Sequence, residues 1–207
     1  MFDGFLRVAA ATPDIRVADC NFNGASAAAL VSEAYEQGVS LLVLPELCLT
    51  GYTCSDLFLQ ESLLDGAGKA LLTLTEATRD KNMVVLAGLP LTVNGVLYNA
   101  AAVLHDGDIL GFVPKSYLPT YSEFYEGRHY HSGADIETDV LFNGRTYPFG
   151  TRLLFRCRQM PAFTLGIEIC EDLWVAQPPS IGHALAGATV IANLSASDET
   201  TGKDIYR

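Results

Sequence analysis

VSLLVLPE, residues 39–46, is an unbroken apolar run that a proline stops and a carboxylate ends. Strict alternation marks a strand with one wet face, whereas a short continuous run marks a strand covered on both faces. The stretch is therefore expected as a buried strand inside a layered fold. Its last residue, Glu46, is delivered to the end of that strand. Pro45 fixes φ and donates no hydrogen bond, which suits a chain leaving its ladder and aiming the next side chain outward.

The neighbouring segments alternate in the same way. FLRVAAAT (5–12) and MVVLAGLP (83–90) read as further buried strands, and the alanine-rich NGASAAALVSEAYEQG (23–38) as a helix with a glycine stop. Residues 56–82 are helical in period, with an expected break near Gly66 and Gly68. GVLYNAAAVLHDGDILGFVPK (95–115) resolves into two strands joined at Asp106-Gly107, and Asn143-Gly144 is a second turn signal in the loop-rich stretch 116–150. TRLLFRCRQMPAFTLGIEIC (151–170) reads as a last hairpin, followed by one helix (SIGHALAGA) and one strand (ATVIANLS). Strands mixed with helices, without a clean parallel βαβ repeat, indicate an α/β layered domain.

Bulk properties narrow the function. The 207 residues are 49% hydrophobic, enough for one domain with a sizeable core. A formal charge of −11 argues against nucleic acid and anionic membranes as partners, because basic side chains supply most of that affinity. MFDGFLRVAAATPDI has an early Asp3 and no basic n-region, so no leader peptide is expected, nor any bilayer-spanning stretch of about 18–20 residues. With five cysteines (Cys20, Cys48, Cys54, Cys157, Cys170) and no leader, reduced thiols and a cytoplasmic location are the expectation. The spacing of Cys48 and Cys54 and the pair His129 and His131 give no convincing metal site. No GxxxxGK[ST] or GxGxxG loop is present to cradle phosphate, and no cofactor is expected.

Three reactive side chains share one context. Glu46 ends LLVLPE, Lys115 ends ILGFVPK and Cys170 ends FTLGIEIC, each where an apolar strand gives out. Rigid strands meeting loops are where catalytic groups collect in α/β sheets. Together they make a coherent nucleophilic set. Glu46, partly desolvated by Leu44 and Leu47, suits a general base toward the thiol, and Lys115 suits a donor to the oxyanion of a tetrahedral intermediate. Lys115 is also expected to offset Glu171 and Asp172, which follow Cys170 directly. Read singly, each residue has a plainer meaning: a structural buried cysteine, a solvated strand-end carboxylate, a surface lysine.

The three motifs LPELCLTGY (44–52), VPKSYLPTYSEFYEGRHY (113–130) and GIEICEDLW (166–174) resemble, in this order, those of the nitrilase superfamily of carbon–nitrogen hydrolases. LTGYTCSDLF (49–58), YPFGTRLLF (147–155), ICEDLWVAQPPS (169–180) and NLSASDETTGKDIYR (193–207) further resemble the glutaminase domain of the glutamine-dependent NAD synthetase family. The resemblance implies a four-layer α-β-β-α sandwich and a Glu46–Lys115–Cys170 triad. It implies that Tyr52, Glu171 and Ser197 contact the amino-acid end of glutamine, with Glu171 facing the ammonium. Tyr121 and Phe124 line the pocket, the Tyr121 backbone helps bind the oxyanion, and Glu126 is a second glutamate beside the lysine. It also implies that residues 1–207 form a hydrolase domain lacking its last strands. The ATP- and Mg-using synthetase domain lies elsewhere in the parent chain, and the protein forms a homo-oligomer. The alternatives are a free-standing amidase with another small substrate and a non-catalytic fragment.

Overall fold

In the computed structural model, which describes residues 4–206, alternate residues of the central strands serve two different cores. Asp3, weighed above, and Arg207 lie outside the described residues. In β3 (Val84–Val93), Val85, Ala87 and Leu89 pack toward the helices, while Leu86 faces a second sheet. In β4 (Val96–His105), Ala100, Ala102 and Leu104 take the helix side and Ala101 and Val103 the other. The two-residue period of a strand places both sets, so the middles of these strands are largely apolar because both faces are covered.

A seven-stranded mixed sheet results. β1 (Val8–Ala10), β2 (Leu41–Val43) and β3 run parallel, and β3, β4 and β5 (Asp108–Pro114) form an antiparallel meander. Beside β5 lie β7 (Arg145–Gly150) and then β6 (Glu137–Phe142). Asp106 and Gly107, and Asn143 and Gly144, all have positive φ, as expected of the two hairpin turns. Asn94-Gly95 makes a third such turn, which carries β3 past Pro90 and beyond its expected end.

α1 (Cys20–Glu36) and α2 (Glu61–Ala77) cover one face of this sheet. On the other face lies a small sheet of β8 (Phe155–Arg156), β9 (Thr164–Ile169) and β10 (Val190–Leu194), with β9 in the middle. Leu165, Ile167 and Ile169 of β9 point into the inter-sheet core. The alternate residues meet α3 (Pro179–Leu185): a Cβ on Gly166 would lie 2.8 Å from His183 Nδ1, and Glu168 accepts from the Ser180 amide at 3.1 Å. The layers are thus α-β-β-α, as the sequence motifs imply. A short helix, α4 (Lys203–Tyr206), ends the described chain.

α2 runs unbroken through Gly66 and Gly68, contrary to the break expected there. Gly66 serves packing instead, whereas a Cβ on Gly68 would make only ordinary contact with Phe142 at 3.6 Å. A Cβ on Gly66 would lie 3.2 Å from Cys20 Sγ of α1, and one on Gly24 of α1 would lie 3.0 Å from Ala70 Cβ of α2. The close approach of two helices outweighs the roughly 1 kcal/mol that each interior glycine costs. α1 begins earlier than expected, because the Asp19 carboxylate caps it by accepting from the Phe22 amide.

Candidate active site

The directions of the strands bring the three reactive ends together. β2, β3 and β5 run the same way, so β2 and β5 release their next residues at one edge of the large sheet. β9 ends against that edge from the small sheet. Glu46 and Lys115 therefore come from one sheet and Cys170 from the other.

Behind Pro45 the chain turns sharply, with Leu47 at φ 51° and Gly51 at φ 85°, and the Gly51 amide donates to the Leu47 carbonyl at 2.8 Å. The turn rests directly on β3 at Gly88. A Cβ there would sit 2.2 Å from Leu47 N and 2.7 Å from Glu46 Cα, so only glycine leaves room for the Glu46 turn. Lys115 follows Pro114, and its amide donates to the Asn99 carbonyl at 2.8 Å. Cys170 lies at φ 46°, strained for a residue with a Cβ, on the sharp passage from β9 into a 3-10 turn, Cys170–Leu173. Such a strand-to-turn elbow lifts a nucleophile clear of its sheet.

The polar groups form one buried network. Glu46 Oε1 accepts from Lys115 Nζ at 2.7 Å and from Asn99 Nδ2 at 2.7 Å, and Oε2 accepts from the Ala196 amide at 3.1 Å. Lys115 Nζ also donates to Glu126 Oε1 at 2.7 Å, and the Tyr52 hydroxyl donates to the same oxygen at 2.6 Å. The lysine has no exposed surface. Burial works against its charge, but Glu46 and Glu126 outweigh burial and hold the ammonium above its ordinary range. Burial raises Glu126, against the pull of Lys115. An ammonium has three donors, and two are engaged by these carboxylates.

Cys170 lies within hydrogen-bonding reach of Glu46 and accepts from Ser195 Oγ at 3.4 Å. Burial, then the Glu46 carboxylate, push its thiol up to about 11 against Lys115 and Ser195. Burial and Glu46 thus favour the neutral thiol, with the Glu46 carboxylate in contact. Alkylation of Cys170 by iodoacetamide, followed peptide by peptide, is expected to quicken about tenfold per pH unit from 7 to 10, since only the thiolate reacts. A plateau reached below pH 8 would show an ionised resting thiolate instead.

Among the described residues Lys115 makes its direct ion pairs with Glu46 and Glu126 and none with the acidic residues after Cys170, although its charge still favours the Asp172 carboxylate through space, as expected. Asp172 accepts from the amides of Ser116, Tyr117 and Ile169 at 2.8–3.3 Å, and burial pushes its carboxyl up to about 7 against these donors and the Lys115 charge. It pins the cysteine turn to the chain just after Lys115. Glu171 accepts from the Tyr121 hydroxyl at 2.9 Å.

Next to this network is a cavity of about 280 Å³, lined among others by Tyr52, Phe124, Glu126, Ala196 and Asp198. Phe124 packs edge-on against both Tyr52 and Tyr121. Ser197 is half-buried between Ala196 and Asp198. A larger cavity of about 430 Å³ lies between Ser116, Thr151 and His183, away from the triad. Sequence reasoning did not find Asn99, Ser195 or Ala196, and it named Asp172 without its role as a clamp on the cysteine turn. Apart from the Asp172 contact with Ile169, the partners of these side chains and of the Ala196 amide lie 25 to 150 residues distant, so no local pattern could mark them.

Residues 7–206 match the carbon–nitrogen hydrolase family. The chain belongs to that family. Among relatives of this carbon–nitrogen hydrolase, the glutamine-dependent NAD(+) synthetase of Mycobacterium bovis is 46% identical over 97% of the chain, and that of Thermotoga maritima 34% over 98%. The chain spans only 30% and 32% of those two proteins. A crystal structure of the glutamine-dependent NAD(+) synthetase from Cytophaga hutchinsonii superposes with a TM-score of 0.85 at 30% identity, covering 97% of this chain and 32% of that one. A Nesterenkonia amidase shares the hydrolase fold at a TM-score of 0.69 and 22% identity, over 95% of this chain and 70% of its own.

Proposed function

We propose that this chain is a glutamine amidohydrolase domain that releases ammonia for a separate ATP- and Mg-using domain amidating deamido-NAD. The observation that carries the reading is the buried Glu46–Lys115–Cys170 network, with the thiol on a strained turn and its base in contact. The names of the relatives, and the share of their length that the chain spans, supply glutamine and the second domain.

Chemistry follows from the contacts. Cys170 Sγ attacks the side-chain amide carbon of glutamine as Glu46 takes the thiol proton, and the π-bond electrons move to oxygen. The third donor of Lys115 meets that oxyanion, with the Tyr121 backbone assisting. When the tetrahedral intermediate collapses, the C–N bond breaks and Glu46 gives its proton to the departing nitrogen, leaving ammonia and a thioester. Water, deprotonated by Glu46, attacks the thioester, and the C–S bond breaks to give glutamate and the thiol. Every proton removed by Glu46 is returned, and no cofactor enters these steps.

Tyr52, Phe124 and Ser197 border the space for the substrate's amino-acid end, Glu171 faces its ammonium, and Glu126 sets the position of Lys115. We further place the parent protein in the cytoplasm as a homo-oligomer. The intact protein, assayed against glutamine, asparagine and simple aliphatic amides, is expected to release ammonia from glutamine at least about 100-fold faster, as polar specificity contacts allow. Hydrolysis of simple amides without glutamine turnover would point to a free-standing amidase.

A further inference from the structure

Residues 195–202 leave β10 and cross the mouth of the site without joining either sheet. Two contacts of this strap reach the catalytic groups: the Ser195 hydroxyl donates to Cys170 Sγ at 3.4 Å, and the Ala196 amide to Glu46 Oε2 at 3.1 Å. Ala196 and Asp198 also form one wall of the cavity, while Glu123 and Phe124 belong to the other. At the far end of the strap is Lys203, a residue only 8% exposed.

That lysine closes the strap on itself. Its Nζ donates to the Asp198 carbonyl at 2.8 Å and also to the Asp198 carboxylate. Asp198 in turn lies within hydrogen-bonding reach of Glu123, a contact that needs a proton on one of the two carboxyls. One buried cation therefore joins a cluster that bridges both walls. A lysine is kept this far from water only where acceptors compensate its desolvation, and here both come from a single residue of the strap. Loop segments without ladder bonds open easily, so such a tie decides how much of the time the strap is seated.

We propose that Lys203 is a positioning residue for the hydrolysis: by tying Asp198 to the strap, and through it to Glu123, it seats Ser195 on Cys170 and Ala196 on Glu46. The proposal rests on the glutaminase reading for its substrate. Its action on the thiol does not need that reading, because Ser195 touches Cys170 whatever amide is cleaved.

The test uses Lys203→Met in the intact protein, which keeps the aliphatic stem and removes the charge. The expected result is a fall in kcat for glutamine of about 10- to 100-fold, larger than the change in KM, because catalytic groups lose their alignment. The pH inflection of Cys170 alkylation is expected to move upward, since the Ser195 donor that favours the thiolate is no longer held in place; of the other groups that face the thiol, Lys115, Tyr52 and Tyr121 are untouched and Glu46 loses only its Ala196 donor. Lys203→Arg is expected to restore most of the kcat. Unchanged kcat and an unmoved inflection would overturn the proposal, as would a lower Tm with full activity in the folded fraction, which marks a purely structural lysine. Where Lys203→Met does not fold, Lys203→Gln, which retains a donor, carries the same two readouts. Wild-type protein inert toward glutamine would sink the glutaminase reading, while the shift in alkylation would still decide the role of Lys203.

Discussion

Lys115→Met is expected to abolish hydrolysis and to cost about 3–5 kcal/mol of folding stability, the range for removing one partner of a buried ionic cluster. The reason is the arrangement around Nζ. Glu46 and Glu126 both accept from it at 2.7 Å, and both are almost fully buried. Without the ammonium, two carboxylates share a dry site with no cation between them. One of them must then take up a proton that it does not hold in the unfolded chain at neutral pH. A group whose folded pKa is raised above its unfolded value contributes stability at low pH and loses it as pH rises. The deficit in Lys115→Met is therefore expected to be larger at pH 8 than at pH 5, measured by urea denaturation at both. An equal deficit at the two values would mean that lost packing, not unpaired charge, dominates. Activity is lost for a separate reason: the base is no longer held against the thiol, and the oxyanion loses its ammonium donor.

Cys170→Ala is expected to reduce ammonia release from glutamine by about 10⁴-fold or more while leaving the fold in place, the pattern of a lost nucleophile. The substitution removes a single sulfur at the end of β9. Alanine at φ 46° carries the same backbone strain as cysteine, so that strain does not change. Stability is expected to stay within about 1 kcal/mol of wild type, as for a small truncation without a large cavity. The Asp172 amide bonds that pin the turn do not involve the sulfur. Calorimetry should show glutamine binding retained in the variant, since Glu171, Tyr121 and Phe124 are intact. Turnover above about one per cent of wild type would mean that water attacks the amide directly and that Cys170 is not the nucleophile. The pair of variants separates two roles that sequence motifs alone present as one triad: Lys115 supports fold and chemistry, Cys170 chemistry alone.

Much of the architecture was legible because it is written in short periods. Apolar runs such as VSLLVLPE and FTLGIEIC announce strands covered on both faces, and the two Asx-Gly turns at Asp106-Gly107 and Asn143-Gly144 announce hairpins. The expected break at Gly66 and Gly68 failed because local propensity competes with packing. At Gly66 the neighbour is another helix whose Cys20 sulfur leaves no room for a side chain.

Within the site, the sequence by itself determined which chemistry is available. A strand can deliver only the residue that follows its last apolar position, and Glu46, Lys115 and Cys170 are those residues. Only the tertiary structure decided how each is held. Lys115 turned out to hydrogen-bond Glu46 and Glu126 and to reach Asp172 only through its charge, and Asp172 to clamp the cysteine turn through backbone amides. Glu46 receives Asn99 and Ala196, 53 and 150 residues away. Such partners are chosen by where two sheets and their loops meet in space. A hydrogen bond depends on a few ångströms of separation, and sequence distance carries no record of that.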